Sequence, residues 1–255
     1  MSHQAVLQDA LQAFDSISLK EMDAVELMNR FDTKYVFPVS GLNGLLQNLQ
    51  PHFRVLEVKG VRRCAYENRY FDTPDRRFFL EHHNGKANRL KIRFRKYVDS
   101  DASFFEIKCK TNKGKTIKER VSCTGIPDAI DPMFNEMLFH FMARDTAARL
   151  VPTLDNAFTR TTLVGNDLTN RLTIDTGVTF RHNDGSADIR HLVIVELKQE
   201  GANVSPLMRD AFHQAGMLPV SVSKYAIGTA LLFPHLKQNN FKHKLHFIHK
   251  LRHAA

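Results

Sequence analysis

Residues 89–97 read RLKIRFRKY, and residues 103–110 read SFFEIKCK. Side chains alternate along a strand with a period of two. In the first segment Arg89, Lys91, Arg93, Arg95 and Tyr97 therefore share one face, and Leu90, Ile92 and Phe94 share the other. The second repeats the pattern, with Glu106, Lys108 and Lys110 opposite Phe105, Ile107 and Cys109. Residues 115–123, KTIKERVSC, continue it with Lys118 and Arg120 opposite Ile117, Val121 and Cys123. Turn-forming VDSDA and TNKG separate the three, so they read as successive antiparallel strands with one apolar and one charged face.

Working outward, FRVLEVKG and RCAYENRYFDT precede these strands, and LDNAFTRTTLV, NRLTIDTGVTF and IRHLVIVELKQ follow them, all in strand-forming composition. Helices are expected over residues 4–14 and 21–29, after a Ser40 cap ahead of Pro51, over PDRRFFLEHH with Pro74 at its start, over 127–142 and over 204–216. SVSKYAIGTALLF starts extended and becomes helical. The fold class is α+β, a large, mostly antiparallel sheet with helices packed outside it.

The later strands add Arg160, Arg171 with Asp175, and Glu196 with Lys198; near the start, Arg30, Asp32 and Lys34 alternate with Phe31 and Tyr35. With Lys224 these faces gather 14 basic residues (Arg30, Lys34, Arg89, Lys91, Arg93, Arg95, Lys108, Lys110, Lys118, Arg120, Arg160, Arg171, Lys198, Lys224) against Asp32, Asp72, Glu106, Asp175 and Glu196. The whole formal net charge of +9 can be placed there. A solvated sheet face is also charged, but it mixes signs to avoid cross-strand repulsion. A sheet curled with this face inward would make a basic tunnel that calls for a polyanion or a bound metal.

The motifs NRFDTKY, NRYFDTPD, KIRFRKY, FFEIKCK, TIKERV, FTRTTL, RLTIDTGVTF, VIVELK and SKYAIG occur in the order seen in the VTC domain, and the chain resembles that family over roughly residues 25–232. This is the polyphosphate polymerase module of the triphosphate tunnel metalloenzyme superfamily. The resemblance implies an antiparallel β tunnel barrel with a basic interior, binding ATP, inorganic polyphosphate and a divalent metal, Mn²⁺ or Mg²⁺. Carried over by motif, Lys34, Lys91, Arg93, Arg95, Lys108, Lys118, Arg120, Arg160, Arg171, Lys198 and Lys224, with Arg30, would contact phosphates. Arg93, Arg95, Lys118 and Lys198 are the candidate catalytic residues, and Glu196 the metal ligand. Arg forks and a metal spanning adjacent phosphates are what phosphoryl transfer asks of a protein.

Two departures stand out. The E-x-E-x-K opening of the superfamily's hydrolases reads Arg30, Asp32, Lys34 here, and a lysine expected three residues before Lys224 is Ser221. The expected activity is an ATP:polyphosphate phosphotransferase. The alternatives are a triphosphate hydrolase of the same fold and a non-catalytic polyphosphate-binding module. Phe94 and Phe105 alternate away from the charges, which favours a phosphate ligand over a stacked nucleic acid.

GKT at 114–116 lacks the P-loop's first glycine, where Cys109 stands, and no H-E-x-x-H, G-x-G-x-x-G or G-x-S-x-G motif occurs. Three cysteines without a C-x-x-C pair argue against a disulfide scaffold or zinc knuckle and read as small apolar residues. His82 and His83 read as surface residues at a helix end. The composition, 43% hydrophobic and 25% charged, is that of a folded globular chain. One tunnel domain is expected over 1–236, followed by a basic amphipathic tail over 237–255 that could touch an anionic membrane or a partner. A cytoplasmic location is expected, since neither a signal peptide nor a membrane-spanning run is legible.

Overall fold

The computed structural model describes residues 3–23, 30–113, 115–201 and 204–252. Helix α1 (His3–Gln12), strand β1 (Ser16–Ile17) and α2 (Leu19–Asp23) lead to β2 (Arg30–Pro38). Most of the helix expected over 21–29 lies outside the described residues. Then come α3 (Leu42–Leu49), β3 (Phe53–Leu56), β4 (Cys64–Asp72), α4 (Arg77–His83), β5 (Arg89–Tyr97), β6 (Ala102–Lys110) and β7 (Thr116–Cys123). After α5 (Asn135–Phe139) and α6 (Arg144–Ala147) follow β8 (Val151–Gly165), β9 (Asn170–His182), β10 (Gly185–Asp188), β11 (Leu192–Glu200), α7 (Pro206–Gln214), β12 (Leu218–Pro219), α8 (Lys224–Leu232) and α9 (Lys242–Arg252).

The strands form one sheet in the order β12-β2-β11-β9-β8-β4-β5-β6-β7, with β10 beside β9, β3 beside β8 and β1 beside β3. Every pairing is antiparallel except β1 with β3. Among the described residues no ladder joins β7 to β12, so the barrel is not closed by backbone hydrogen bonds. β12 has only two residues and ends on a proline, which has no N–H for a further ladder bond. β7 carries Lys118 and Arg120 on an edge that is exposed along most of its length, a common protection against strand addition.

The expected apolar faces are buried along β5 and β6, whereas Ile117 and Val121 on the edge strand β7, and Phe31 on β2, are exposed. Phe94, Phe105, Ile92 and Ile107 pack with Phe71, Phe78, Phe134 and Leu138, beneath α4 and α5. Tyr35, Phe37, Val193, Val195, Leu197, Leu172 and Ile174 pack under α1, α3 and α7. These helices lie outside the sheet, as expected. Helix α8 differs. Its Tyr225, Ala226, Ile227 and Ala230 pack against Val36, Tyr70, Leu154, Phe158 and Ile194, which belong by parity to the charged face. The interior is thus basic over part of its length and apolar where α8 fills it.

Local signals account for the other differences. The helix expected over 127–142 is a 3-10 turn (Pro132–Phe134) followed by α5, because Pro132 fits only a first helical turn and Asp131 caps it by accepting from Met133 N. Ser40 does not cap α3; it lies in a 3-10 turn (Val39–Gly41) that runs directly into the helix. His83 is buried and accepts from Asn240 N, because the segment before α9 covers the end of α4. The three cysteines are free and half-buried. In the tail, Phe241 and Ile248 are buried, with Leu245, Phe247 and Leu251 against the same cluster, so its apolar stripe is used on the protein's own body. No helix among the described residues is long and apolar enough to cross a membrane.

Gly228 lets α8 approach the sheet: a Cβ there would collide with the Phe180 ring on β9. Gly228→Ala should cost roughly 1–3 kcal/mol of stability by overpacking. It should also move Lys224, four residues and about one turn of helix earlier, away from the interior. Thermal unfolding and tripolyphosphate affinity measured together check this; loss of stability with unchanged affinity would show that Lys224 keeps its place.

Candidate functional site

The ladder register brings the charges together. Arg93 lies directly across from Glu106, Arg160 across from Asp175, and Lys34 across from Glu196. Each carboxylate also takes a second cation. Glu106 Oε2 accepts from Arg93 Nε at 2.8 Å, while Lys118 Nζ lies 2.6 Å from Oε1. Asp175 is gripped bidentately by Arg160 at 2.6 and 2.7 Å and also by Lys224 from α8. Glu196 pairs with Lys34 through Oε1 and with Lys198 at 2.9 Å through Oε2. Desolvation opposes ionisation of all three, and the cations overcome it. Arg93, Arg95 and Lys118 draw Glu106 down to about 2. Arg160 and Lys224 hold Asp175, and Lys198 and Lys34 hold Glu196, well below the ordinary carboxylate range. Glu106 and Asp175 were legible as face residues, but not as clasps for the cations.

Further cations have no carboxylate at ion-pair distance among the described residues. Arg95 is buried and donates to Asn68 Oδ1 at 2.8 Å, with Asn68 held in turn by Asn156. Lys91 donates to Ser223 Oγ at 2.9 Å. Its pKa is pushed down to about 7, first by enclosure and then by Lys108, Arg93, Lys34 and Arg89. Lys108 is open to solvent yet ringed by protein. That enclosure, tempered by Glu196, combines with Lys34, Lys198 and Arg93 to lower its pKa. These interactions reach from β5 and β6 to β2 and β11, well separated in the sheet order, so the sheet curls around the charged face.

Lys34, Lys91, Arg93, Arg95, Lys108, Lys118, Arg160, Glu196, Lys198 and Lys224 thus converge on one interior. Arg120 lies on the exposed edge strand, over the Phe104 ring at 4.9 Å. Arg171 donates to Met22 O, toward α2. Arg30 begins β2, but its side chain lies outside the described residues. Asp72 does not join the charged face. Its carboxylate accepts from Phe78 N, Phe79 N and the Tyr225 hydroxyl, tying α4 to α8.

Phe94 and Phe105 do point away from the charges, but other aromatic side chains share the interior. Tyr66 stacks on Phe158 with centroids 5.1 Å apart, and Arg95 and Arg160 lie 5.3 and 5.2 Å from the Tyr66 ring. Lys224 Nζ is 4.3 Å from the Phe158 ring. The alternation of YENRY, residues 66–70, carried this signal.

Among the described residues no group of three or more His, Cys, Asp or Glu side chains could hold a metal. Thr173 sits across the ladder from Glu196, and its buried hydroxyl has no hydrogen-bond partner. A hard divalent cation held here would take oxygen from Glu196 and Thr173, and would displace Lys34 or Lys198 from the carboxylate.

The described residues thus place many basic side chains, six of them clasped by carboxylates, on the interior of a curled antiparallel sheet. The sequence matches the VTC domain over residues 29–233, and the chain belongs to that family. No curated protein matches the sequence. Structural similarity reaches a candidate adenylate cyclase from Vibrio parahaemolyticus at 12% identity and TM-score 0.46, covering 79% of this chain and 98% of that one. A candidate adenylyl cyclase from Hippeastrum, described as having a dominant triphosphatase activity, matches at 14% identity and TM-score 0.47, covering 80% and 96%. A Pyrococcus horikoshii protein matches at 13% and 0.42, covering 79% and 98%.

The depressed Lys91 makes stability depend on pH in a defined direction. Between about 7 and the ordinary lysine value of 10.5 the unfolded chain holds a proton that the folded chain has released. Stability of the ligand-free protein should therefore rise with pH across that window. Lys91→Met should flatten the slope in chemical denaturation at several pH values; an unchanged slope would show that Lys91 is not its source.

Proposed function

We propose that the protein is a metal-dependent polyphosphate polymerase that transfers the γ-phosphate of ATP to a growing polyphosphate chain inside the tunnel. Membership of the VTC domain family supports this reading. The observation that carries it is the set Lys91, Arg95 and Lys108, cations that face one interior with no carboxylate at ion-pair distance. A phosphate chain supplies the missing negative charge, and Arg93, Arg95 and Arg160 offer planar forks for its oxygens.

In the transfer, a terminal oxygen of the acceptor chain attacks the γ-phosphorus, the bond from that phosphorus to the bridging oxygen breaks, and ADP leaves. Arg93, Arg95, Lys118 and Lys198 stabilise the charge on the transferred group. Glu196 and Thr173 would hold a divalent metal, Mn²⁺ or Mg²⁺, which supplies charge neutralisation between adjacent phosphates. The clasped carboxylates favour a phosphate acceptor over water. A general base works best with a pKa near the operating pH, and Glu106, Asp175 and Glu196 are all held far below it by their cations.

Purified protein incubated with ATP and Mn²⁺ or Mg²⁺, with products resolved by length, should give ADP and long phosphate chains, and added short polyphosphate should shorten any lag. Release of orthophosphate without chain growth, with primer present, would identify a hydrolase instead.

Two variants divide the site. Removing Arg93 and Arg95 together should weaken triphosphate binding by several kcal/mol, at roughly 1.5–3 kcal/mol per charged contact, as measured by calorimetry. Glu196→Gln should abolish metal-dependent turnover while metal-free triphosphate binding persists. Full activity with the same metal requirement would make Glu196 solely an ion-pair partner of Lys34 and Lys198.

A further inference from the structure

Beyond the paired cations, the interior face runs out along β5 and β6 to Arg89 and Lys110, which stand directly opposite each other in the ladder. Two like charges at one ladder position repel unless an anion lies between them. Among the described residues neither has a carboxylate at ion-pair distance. The acid on α4, Glu81, is held by Arg77 and Lys86.

The C-terminal segment adds to this end. Phe241 is buried, with the His82 ring 5.6 Å from it on one side and Lys244 Nζ 6.0 Å from its centroid. His82 Nδ1 is buried and has no hydrogen-bond partner. The charges are close enough to act on one another. After desolvation, Lys91, Arg89, Lys244 and Lys110 each depress His82, and Arg89 depresses Lys244. Helix α9 then carries Lys242, Lys250 and Arg252 exposed, and it contains no acidic residue.

We propose that Arg89, Lys110 and Lys244, continued by the exposed lysines of α9, form a second anion site outside the tunnel that holds the distal part of a linear phosphate chain. The inference rests on the reading of the tunnel as a phosphate-chain site, and it gives the chain a direction of exit. Lys91 links the two parts, since it is coupled both to Lys34 and Lys108 within and to Arg89 at the mouth. Inorganic polyphosphate fits better than the other polyanions. The apolar stripe of α9 is turned onto the protein's own body, with Ile248 buried and Leu245, Phe247 and Leu251 packed against the same cluster, so it is not a free face for a membrane. Phe241, the ring at the centre of the cluster, is buried and cannot stack a base.

The test compares tripolyphosphate, which the tunnel alone can accommodate, with polyphosphate of tens of units. The full chain carrying Arg89→Gln, Lys110→Gln and Lys244→Gln, and a second variant carrying Lys242→Gln and Lys250→Gln, are titrated with both at two salt concentrations. Long polyphosphate should bind about ten-fold more weakly or worse to the triple variant, with a shallower salt dependence, while tripolyphosphate affinity stays within about two-fold. The α9 variant should show a smaller loss in the same direction.

Equal losses for both probes, or none for either, would overturn the proposal. So would a loss confined to a single-stranded oligonucleotide or to anionic vesicles, used as parallel probes. Wild-type protein that binds long polyphosphate but not tripolyphosphate would remove the tunnel reading instead, and a selective loss in the triple variant would still support the outer site.

Discussion

Three carboxylates, each held between two cations, are the arrangement on which the interior depends. Glu106, Asp175 and Glu196 take six of the basic side chains that the concave face brings together. In each case one of the two cations is the residue directly across the ladder. The backbone hydrogen bonds that hold the sheet therefore also fix the ion pairs. A slip of one residue would send every one of these charges to the apolar side. Buried pairs of this kind add little net stability compared with apolar packing, but removing one partner is costly because the other charge is left uncompensated. Their effect is to place cations at defined positions while leaving the interior positive overall.

The apolar packing sets where that interior stops. Helix α8 fills part of the concavity, made possible by the close approach of Gly228 to Phe180, and its first residue Lys224 reaches Asp175. The Asp72 carboxylate binds backbone N–H groups at the start of α4 and the Tyr225 hydroxyl on α8, so both helices are positioned by one buried acid. Burial raises the pKa of this carboxyl against the hydrogen bonds that favour its charge. Its role is in the scaffold. It places Lys224, and through Ser223 it bears on Lys91.

The same electrostatics connects fold to chemistry. Carboxylates held ionised by paired cations are poor proton acceptors near neutral pH, whereas Arg and Lys side chains already arrayed around a cavity need little rearrangement to receive phosphate oxygens. An entering phosphate chain would compete with Glu106, Asp175 and Glu196 for their cations. Lys91, Arg95 and Lys108 need no such exchange.

Much of this was set by the sequence itself. Strand side chains alternate whatever the strand pairs with, so RLKIRFRKY and SFFEIKCK separate charge from hydrocarbon before any partner is known. The identity of the interior cations follows from the same parity. Their pairing does not, because which carboxylate meets which cation depends on register and curvature between residues as distant as Lys34 and Glu196. Parity also leaves open what a side chain meets: Asp72 keeps the parity of Tyr70 yet binds backbone N–H groups of α4 and the Tyr225 hydroxyl, and Pro132 breaks a helix that composition alone would continue. Only the tertiary structure decides that α8 lies inside the sheet, that Tyr66 and Phe158 stand among the cations, and that Lys244 on α9 comes within electrostatic reach of Arg89. Each of these brings together segments far apart in the chain, selected by how the apolar surfaces pack together and not by any local pattern.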